Sequence, residues 1–181
     1  MIGKLFEVGN PAPYRHPALW TREPTDERER LRIGAGIGTL DLFQWLAADL
    51  GEPLFLLVVM RVPQVVEAGR WESVPLTHAE LGRFVGRYGM LFEEDARAQL
   101  WVGELDGAGM IVLDEHDLIY AYGPLDRFEQ VLREQGYEPG DPAVPVPHEH
   151  RYHRALNDLE TDLRRLWAWN RILPLDAVPE D

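Results

Sequence analysis

The chain contains no cysteine, a single lysine and a single serine among its 181 residues. The absence of cysteine excludes thiol nucleophiles, disulfides, zinc sites with cysteine ligands and iron–sulfur clusters. Lys4 does not end a glycine-rich phosphate loop, and Ser73 lacks the flanking glycines of a nucleophile elbow. We therefore expect no organic cofactor, and this scarcity of nucleophiles favours a protein that is not an enzyme.

Positive charge is also scarce. The 18 Lys and Arg residues face 31 Asp and Glu residues, which gives a net charge of -13. This balance is the opposite of the basic surface that phosphate binding requires, so we expect neither nucleic acid nor an anionic membrane as partner. The longest apolar run is Leu54 to Met60, far shorter than the ~20 residues of a membrane-spanning helix. The first residues show no signal-peptide core, so a cytoplasmic location is expected.

Hydrophobic residues make up 45% of the chain and charged residues 27%, as in an ordinary globular domain. Residues 1–30 contain four prolines and predict an irregular lead-in, followed by a core over 31–138 and a proline-rich strap over 139–147. Within the core, apolar periodicity predicts helices from Thr39 to Leu50, from Thr77 to Tyr88 and from Pro124 to Gln135. Strands are expected at 31–33, 54–60, 70–74, 99–105, 110–113 and 118–122.

Together these elements predict an α+β fold, with a mixed, mostly antiparallel sheet of four to six strands packed by helices. Residues 148–173 carry an apolar stripe at helical spacing and predict a long amphipathic C-terminal helix. We expect that helix to pack on the core or on a partner. In the second case the chain is a structural homo-oligomer, with a homodimer formed through this helix.

Negative charge is concentrated in residues 101–150, which hold eleven acids and only two bases. The favoured interpretation is a non-enzymatic acidic binding protein that engages a basic protein partner by complementary potential, for example an inhibitor or immunity-type protein. The carboxylates expected to bind that partner lie in and beside the hairpin loops: Glu104, Asp106, Asp114, Glu115 and Asp117. The run from Asp114 to Asp117 includes His116 and also offers carboxylates for a hard cation or a histidine paired with an acid.

A second candidate site is a histidine cluster, since His148, His150 and His153 lie within six residues. In a helix, His150 and His153 share a face at positions i and i+3. Clustered neutral imidazoles suit zinc, nickel or copper. The alternative function is therefore a metal-dependent hydrolase that uses these three histidines, with Glu149 or Asp141 as base. The sequence leaves open whether the cluster binds metal.

Overall fold

The computed structural model of the protein describes residues 2–36, 38–166 and 169–175. Within these ranges the chain forms an α+β fold, as predicted. The strands are β1 (Leu5–Glu7), β2 (Leu19–Pro24), β3 (Glu29–Gly34), β4 (Leu54–Met60), β5 (Gly69–Glu72), β6 (Ala98–Glu104), β7 (Met110–Leu113), β8 (Leu118–Tyr122), β9 (Glu138–Pro139), β10 (His148–His150) and β11 (Arg171–Leu173). The helices are α1 (Thr39–Ala47), α2 (His78–Glu93), α3 (Leu125–Glu134) and α4 (Asn157–Arg165), the last preceded by a 3₁₀ turn at Arg154–Leu156. None of these helices has the length and apolar character needed to cross a lipid bilayer.

Most strands of the described chain join one mixed sheet in the order β11-β5-β4-β6-β7-β8-β3-β2-β9. Neighbouring strands are antiparallel except β2 and β9, which are parallel. The sheet therefore has nine strands rather than the expected four to six. β2 accounts for part of the difference and lies inside the lead-in that the sequence predicted to be irregular. Pro17 precedes β2 and Pro24 is its last residue, so the prolines border the strand instead of interrupting it.

The main core lies between one face of this sheet and helices α1 to α3. Alternate strand residues on that face, such as Leu56, Leu100 and Ile111, are fully buried. The opposite face carries a row of residues that includes Leu57, Trp101 and Tyr120, which are partly exposed. One face of the sheet is thus covered by helices, and the other presents aromatic side chains closer to solvent.

Helix α2 begins where the sequence predicts, at a capping box formed by Thr77 and Glu80. It continues to Glu93 instead of ending at Gly89. A Cβ atom at Gly89 would lie 2.5 Å from Cδ1 of Leu40, so this glycine permits the close approach of α1 and α2. The interior glycine therefore serves packing and not termination.

The prediction of a long C-terminal helix over residues 148–173 is wrong. Residues 148–150 form β10, and the helical part, from Arg154 to Arg165, covers only 12 residues. β10 pairs with β1, and β11 pairs with β5, so the two ends of the expected helix are instead extended strands. The apolar stripe that predicted one helix is shared between different elements.

β1 and β10 form a two-stranded antiparallel sheet outside the main one, which we call the annex. Lys4, directly before β1, fixes the annex to the core. Its buried Nζ donates hydrogen bonds to the carbonyl oxygens of Phe92 and Asp114, each at 2.7 Å, and lies 3.4 Å from the Asp117 carboxylate. The annex is thereby held against the turn at residues 114–117 that joins β7 to β8.

Candidate metal centre

The annex and the β7–β8 turn bring three imidazoles together. The ring centroids of His116 and His150 are 4.8 Å apart, and His148 lies 5.2 Å from each. Each ring offers one nitrogen atom, and these three atoms lie within 4.8 Å of one another. All three side chains are intermediate in exposure, so the cluster lies near the surface.

Two of the three histidines come from the alternation of a single strand. Successive side chains of a strand point to opposite faces, so His148 and His150 of β10 share one face while Glu149 occupies the other. Glu149 accordingly pairs with Arg151, with 3.0 Å between the guanidinium and the carboxylate. The strand delivers two imidazoles to the same place without a helix.

The third imidazole is presented by a tightly fixed turn. The Asp114 carboxylate accepts hydrogen bonds from the backbone N–H groups of His116 and Leu118, both at 2.9 Å. Asp117 adopts a left-handed conformation with φ of 66°, which closes the turn. From outside, Nε2 of the buried His16 donates a hydrogen bond of 2.8 Å to the carbonyl of His116. The position of the His116 ring is therefore determined by the core.

Two of the rings already have one nitrogen engaged. Nδ1 of His116 donates to the Asp114 carboxylate at 3.2 Å, and Nδ1 of His148 donates to the carbonyl of Pro145 at 2.9 Å. Metal-binding histidines are usually oriented by a second hydrogen bond of this kind, which leaves Nε2 as the ligand atom. Nε2 of His150 is buried and has no hydrogen-bond partner within the described ranges. Such unpaired buried groups are costly, and a metal ion would satisfy this one.

The surroundings affect the charge of these rings in opposite ways. The hydrogen bond to Asp114 raises the pKa of His116 above its ordinary value. Burial lowers the pKa of His150, and the neighbouring imidazoles of His116 and His148 lower it further. Three protonated rings would repel one another at these distances. The lowered pKa of His150 favours its neutral imidazole, the form that binds metal ions.

His153, the third member of the predicted cluster, lies elsewhere. Its Nε2 donates to the carbonyl of Gly3 at 2.8 Å, and its backbone N–H donates to Asp95 at 2.6 Å. Of the three histidines in the predicted cluster, the structure thus brings His148 and His150 together and places His116, not His153, beside them. The signal for His116 was its place in an acidic turn beside Asp114, although nothing local linked that turn to residues 148–150.

Neither predicted base contacts the cluster in the hydrogen bonds of the described chain. Asp141 is exposed and pairs with Arg32 at 2.9 Å, and Glu149 faces away with Arg151. A different carboxylate, Glu115, lies within 4.8 Å of a ring nitrogen of His116 and of a carboxylate oxygen of Asp114.

Glu115 is held by contacts on the face of the sheet that the helices do not cover. Its carboxylate accepts a hydrogen bond of 2.7 Å from the amide of Gln99, whose oxygen in turn accepts from the indole N–H of Trp101 at 3.0 Å. The Arg61 guanidinium lies 3.7 Å from the same carboxylate. The carboxylate is thus fixed in place although its side chain is not fully buried.

The five acids predicted to bind a basic partner occupy different environments. Asp114 and Asp117 are buried: the Asp114 carboxylate accepts backbone hydrogen bonds within the turn, and the Asp117 carboxylate lies beside Lys4. Glu104 is half-buried and accepts a hydrogen bond from the backbone of Gly51. Glu115 is also half-buried, and only Asp106 is exposed. The predicted surface is therefore mostly engaged in internal contacts.

Two cavities of the described chain, of about 290 and 420 Å³, lie away from the histidines. The first is lined by residues near the start of α2, and the second by the loop at 65–67 and helix α4. Neither of these two cavities is lined by a histidine. Comparison with models of known protein families, with curated protein sequences and with solved structures finds no match to this chain.

Proposed function

We propose that the protein binds a divalent transition metal ion, of which Zn²⁺ is the reference case, through Nε2 of His116, His148 and His150. The observation that carries this proposal is the state of the three rings. Two have Nδ1 engaged by an oxygen acceptor, and the third has a buried Nε2 with no hydrogen-bond partner among the residues that the structure describes. Imidazole ligands suit zinc, copper and nickel rather than calcium or magnesium.

The distances are compatible with one shared ion. Two nitrogen ligands at about 2.1 Å from a tetrahedral zinc lie about 3.4 Å apart. One ring nitrogen of each histidine lies within 4.8 Å of a ring nitrogen of the other two. Small rotations of the side-chain torsions would bring them to the shorter separation. The Asp114 carboxylate on Nδ1 of His116 supplies the outer contact that orients a ligating ring.

The test is a zinc titration of the full chain, purified without a histidine tag and freed of metal with a chelator. We expect one equivalent of Zn²⁺ to bind and the thermal midpoint to rise, because an ion that binds only the folded state stabilises it. His116→Ala should abolish stoichiometric binding, whereas His153→Ala should retain it. A wild-type chain that neither binds nor is stabilised by Zn²⁺, Ni²⁺ or Cu²⁺ would refute the proposal.

The structure assigns His116 as the third ligand, whereas the sequence predicted His153, so these two variants distinguish the two ligand sets. Circular dichroism of both variants is the folding control, since the His153 ring donates to the carbonyl of Gly3 and its backbone N–H donates to the Asp95 carboxylate. If His153→Ala loses the metal while His116→Ala keeps it, the ligand set proposed here is wrong.

Docking on a basic protein partner, the function favoured by the sequence, remains a prediction. Local acidity in residues 101–150 supports it, and the exposed Asp106 is the available carboxylate of the five. A homodimer through the C-terminal helix likewise remains a prediction. The metal centre has the more specific support, because it depends on the arrangement of three side chains and not on overall charge.

A further inference from the structure

We propose that the metal centre is hydrolytic: a water molecule completes the coordination of the ion, and Glu115 accepts a hydrogen bond from that water. This inference rests on the proposed function, since it requires a metal ion at His116, His148 and His150. It goes beyond metal binding because it assigns a reaction and a role to a fourth side chain.

The first argument is the number of ligands. Structural zinc sites are closed by four protein ligands, whereas catalytic sites have three and leave one position for water. The carboxylates near His116 belong to a separate group made of Asp114, Glu115 and His116, and no described His or acid joins all three imidazoles at the same distance. The histidine group therefore leaves one coordination position for solvent.

The second argument is access. The His116 side chain is 28% exposed, in contrast to the fully buried Arg97 and Asp95, which form an ion pair inside the protein. Water and a small substrate can therefore approach the His116 ring from solvent.

The third argument is the support of Glu115. Its side chain is 13% exposed, and the contacts with Gln99 and Arg61 hold it beside the His116 ring. A catalytic group works best when other side chains fix its orientation in this way. Trp101, which donates to Gln99, is partly exposed and offers an apolar surface on the same face of the sheet.

The reaction needs no further reagent. A water molecule bound to Zn²⁺ releases a proton to solvent near neutral pH and becomes hydroxide. In an ester such as 4-nitrophenyl acetate, the hydroxide oxygen forms a bond to the acyl carbon. The bond from that carbon to the leaving oxygen then breaks. The leaving alkoxide takes up a proton from solvent, which gives a carboxylic acid and an alcohol. Glu115 orients the attacking oxygen through its hydrogen bond.

The experiment measures hydrolysis of 4-nitrophenyl acetate by the full chain, first without metal and then loaded with one equivalent of Zn²⁺. We expect a rate that depends on zinc and exceeds that of the same concentration of free Zn²⁺. Glu115→Gln should keep stoichiometric zinc but lower kcat/KM by roughly 10- to 100-fold, as the loss of such supporting contacts usually does. Glu149→Gln is the matched control, since Glu149 faces away from the imidazoles.

The outcomes distinguish the two proposals. Stoichiometric zinc without zinc-dependent hydrolysis, or an unchanged rate in Glu115→Gln, overturns the hydrolytic role and leaves metal binding intact. A chain that binds no zinc overturns the proposed function itself. An equal loss of rate in Glu149→Gln would show a structural effect of β10 and would also overturn the role assigned to Glu115.

Discussion

The contacts of Lys4 predict that Lys4→Met destabilises the protein and weakens metal binding together. The side chain is 1% exposed, and its ammonium group contacts two carbonyl oxygens and the Asp117 carboxylate. Removal of one partner from a buried ion pair commonly costs about 3–5 kcal/mol, because the other charge stays buried without compensation. Methionine fills a similar volume, so little of this cost would come from a cavity.

Urea unfolding of the metal-free protein measures the effect. With a slope of about 2 kcal/mol per molar, a loss of 3–5 kcal/mol would lower the midpoint by about 1.5–2.5 M. The zinc affinity should fall as well, because the annex that carries His148 and His150 is anchored through Lys4.

Arg151→Met is the matched control for Lys4→Met. Arg151 pairs with Glu149 at the surface, where both side chains are about half exposed. Exposed pairs contribute at most about 1 kcal/mol. If Lys4→Met unfolds at the same urea concentration as Arg151→Met, the reasoning about the anchor is refuted.

Two further predictions concern the outer contact of the metal centre and the acid stability of the sheet. Asp114→Asn should lower zinc affinity by roughly 10- to 100-fold, because the amide is a weaker acceptor for Nδ1 of His116. Competition with a chromogenic chelator measures the affinity, and an unchanged value would contradict this prediction. Burial raises the pKa of Glu23, but hydrogen bonds from Arg32 and Arg30 outweigh it, so the net pKa is lowered. A carboxylate whose pKa is lowered by folding stabilises the protein at pH values above the ordinary pKa of the group, near 4.5. That stabilisation is lost as the pH falls from 4.5 through the lowered pKa. Glu23→Gln should therefore reduce the loss of thermal stability between pH 5 and about pH 3, and an identical pH profile in both proteins would count against the idea.

Local signals in the sequence were sufficient for much of the fold. The capping box at Thr77 fixes the start of α2, and Leu54 to Met60 forms β4 as the apolar run predicts. The strands β6, β7 and β8 of the predicted meander also form with nearly the predicted limits. In each case the pattern lies within a single element, so no distant contact is needed to choose the structure.

The sequence did not predict the structures that depend on pairing between distant segments of the chain. Residues 148–150 become a strand only because Leu5 to Glu7 supply a partner, and this pairing replaced the predicted helix. The same pairing separates His153 from the other two histidines and brings them to His116. A single sequence shows which residue types cluster along the chain, but not that the N-terminal strand and the turn at 114–117 converge on residues 148–150.

The annex also has a consequence for the order of events during synthesis. β1 precedes its partner β10 by more than 140 residues along the chain. Until β10 has been made, β1 has no strand to pair with in the annex and its edge can pair with other chains, which favours aggregation. The three histidines come together only after this late closure, so a bound ion would stabilise the chain only once β10 has been made and could not guide the folding of the strands that precede it.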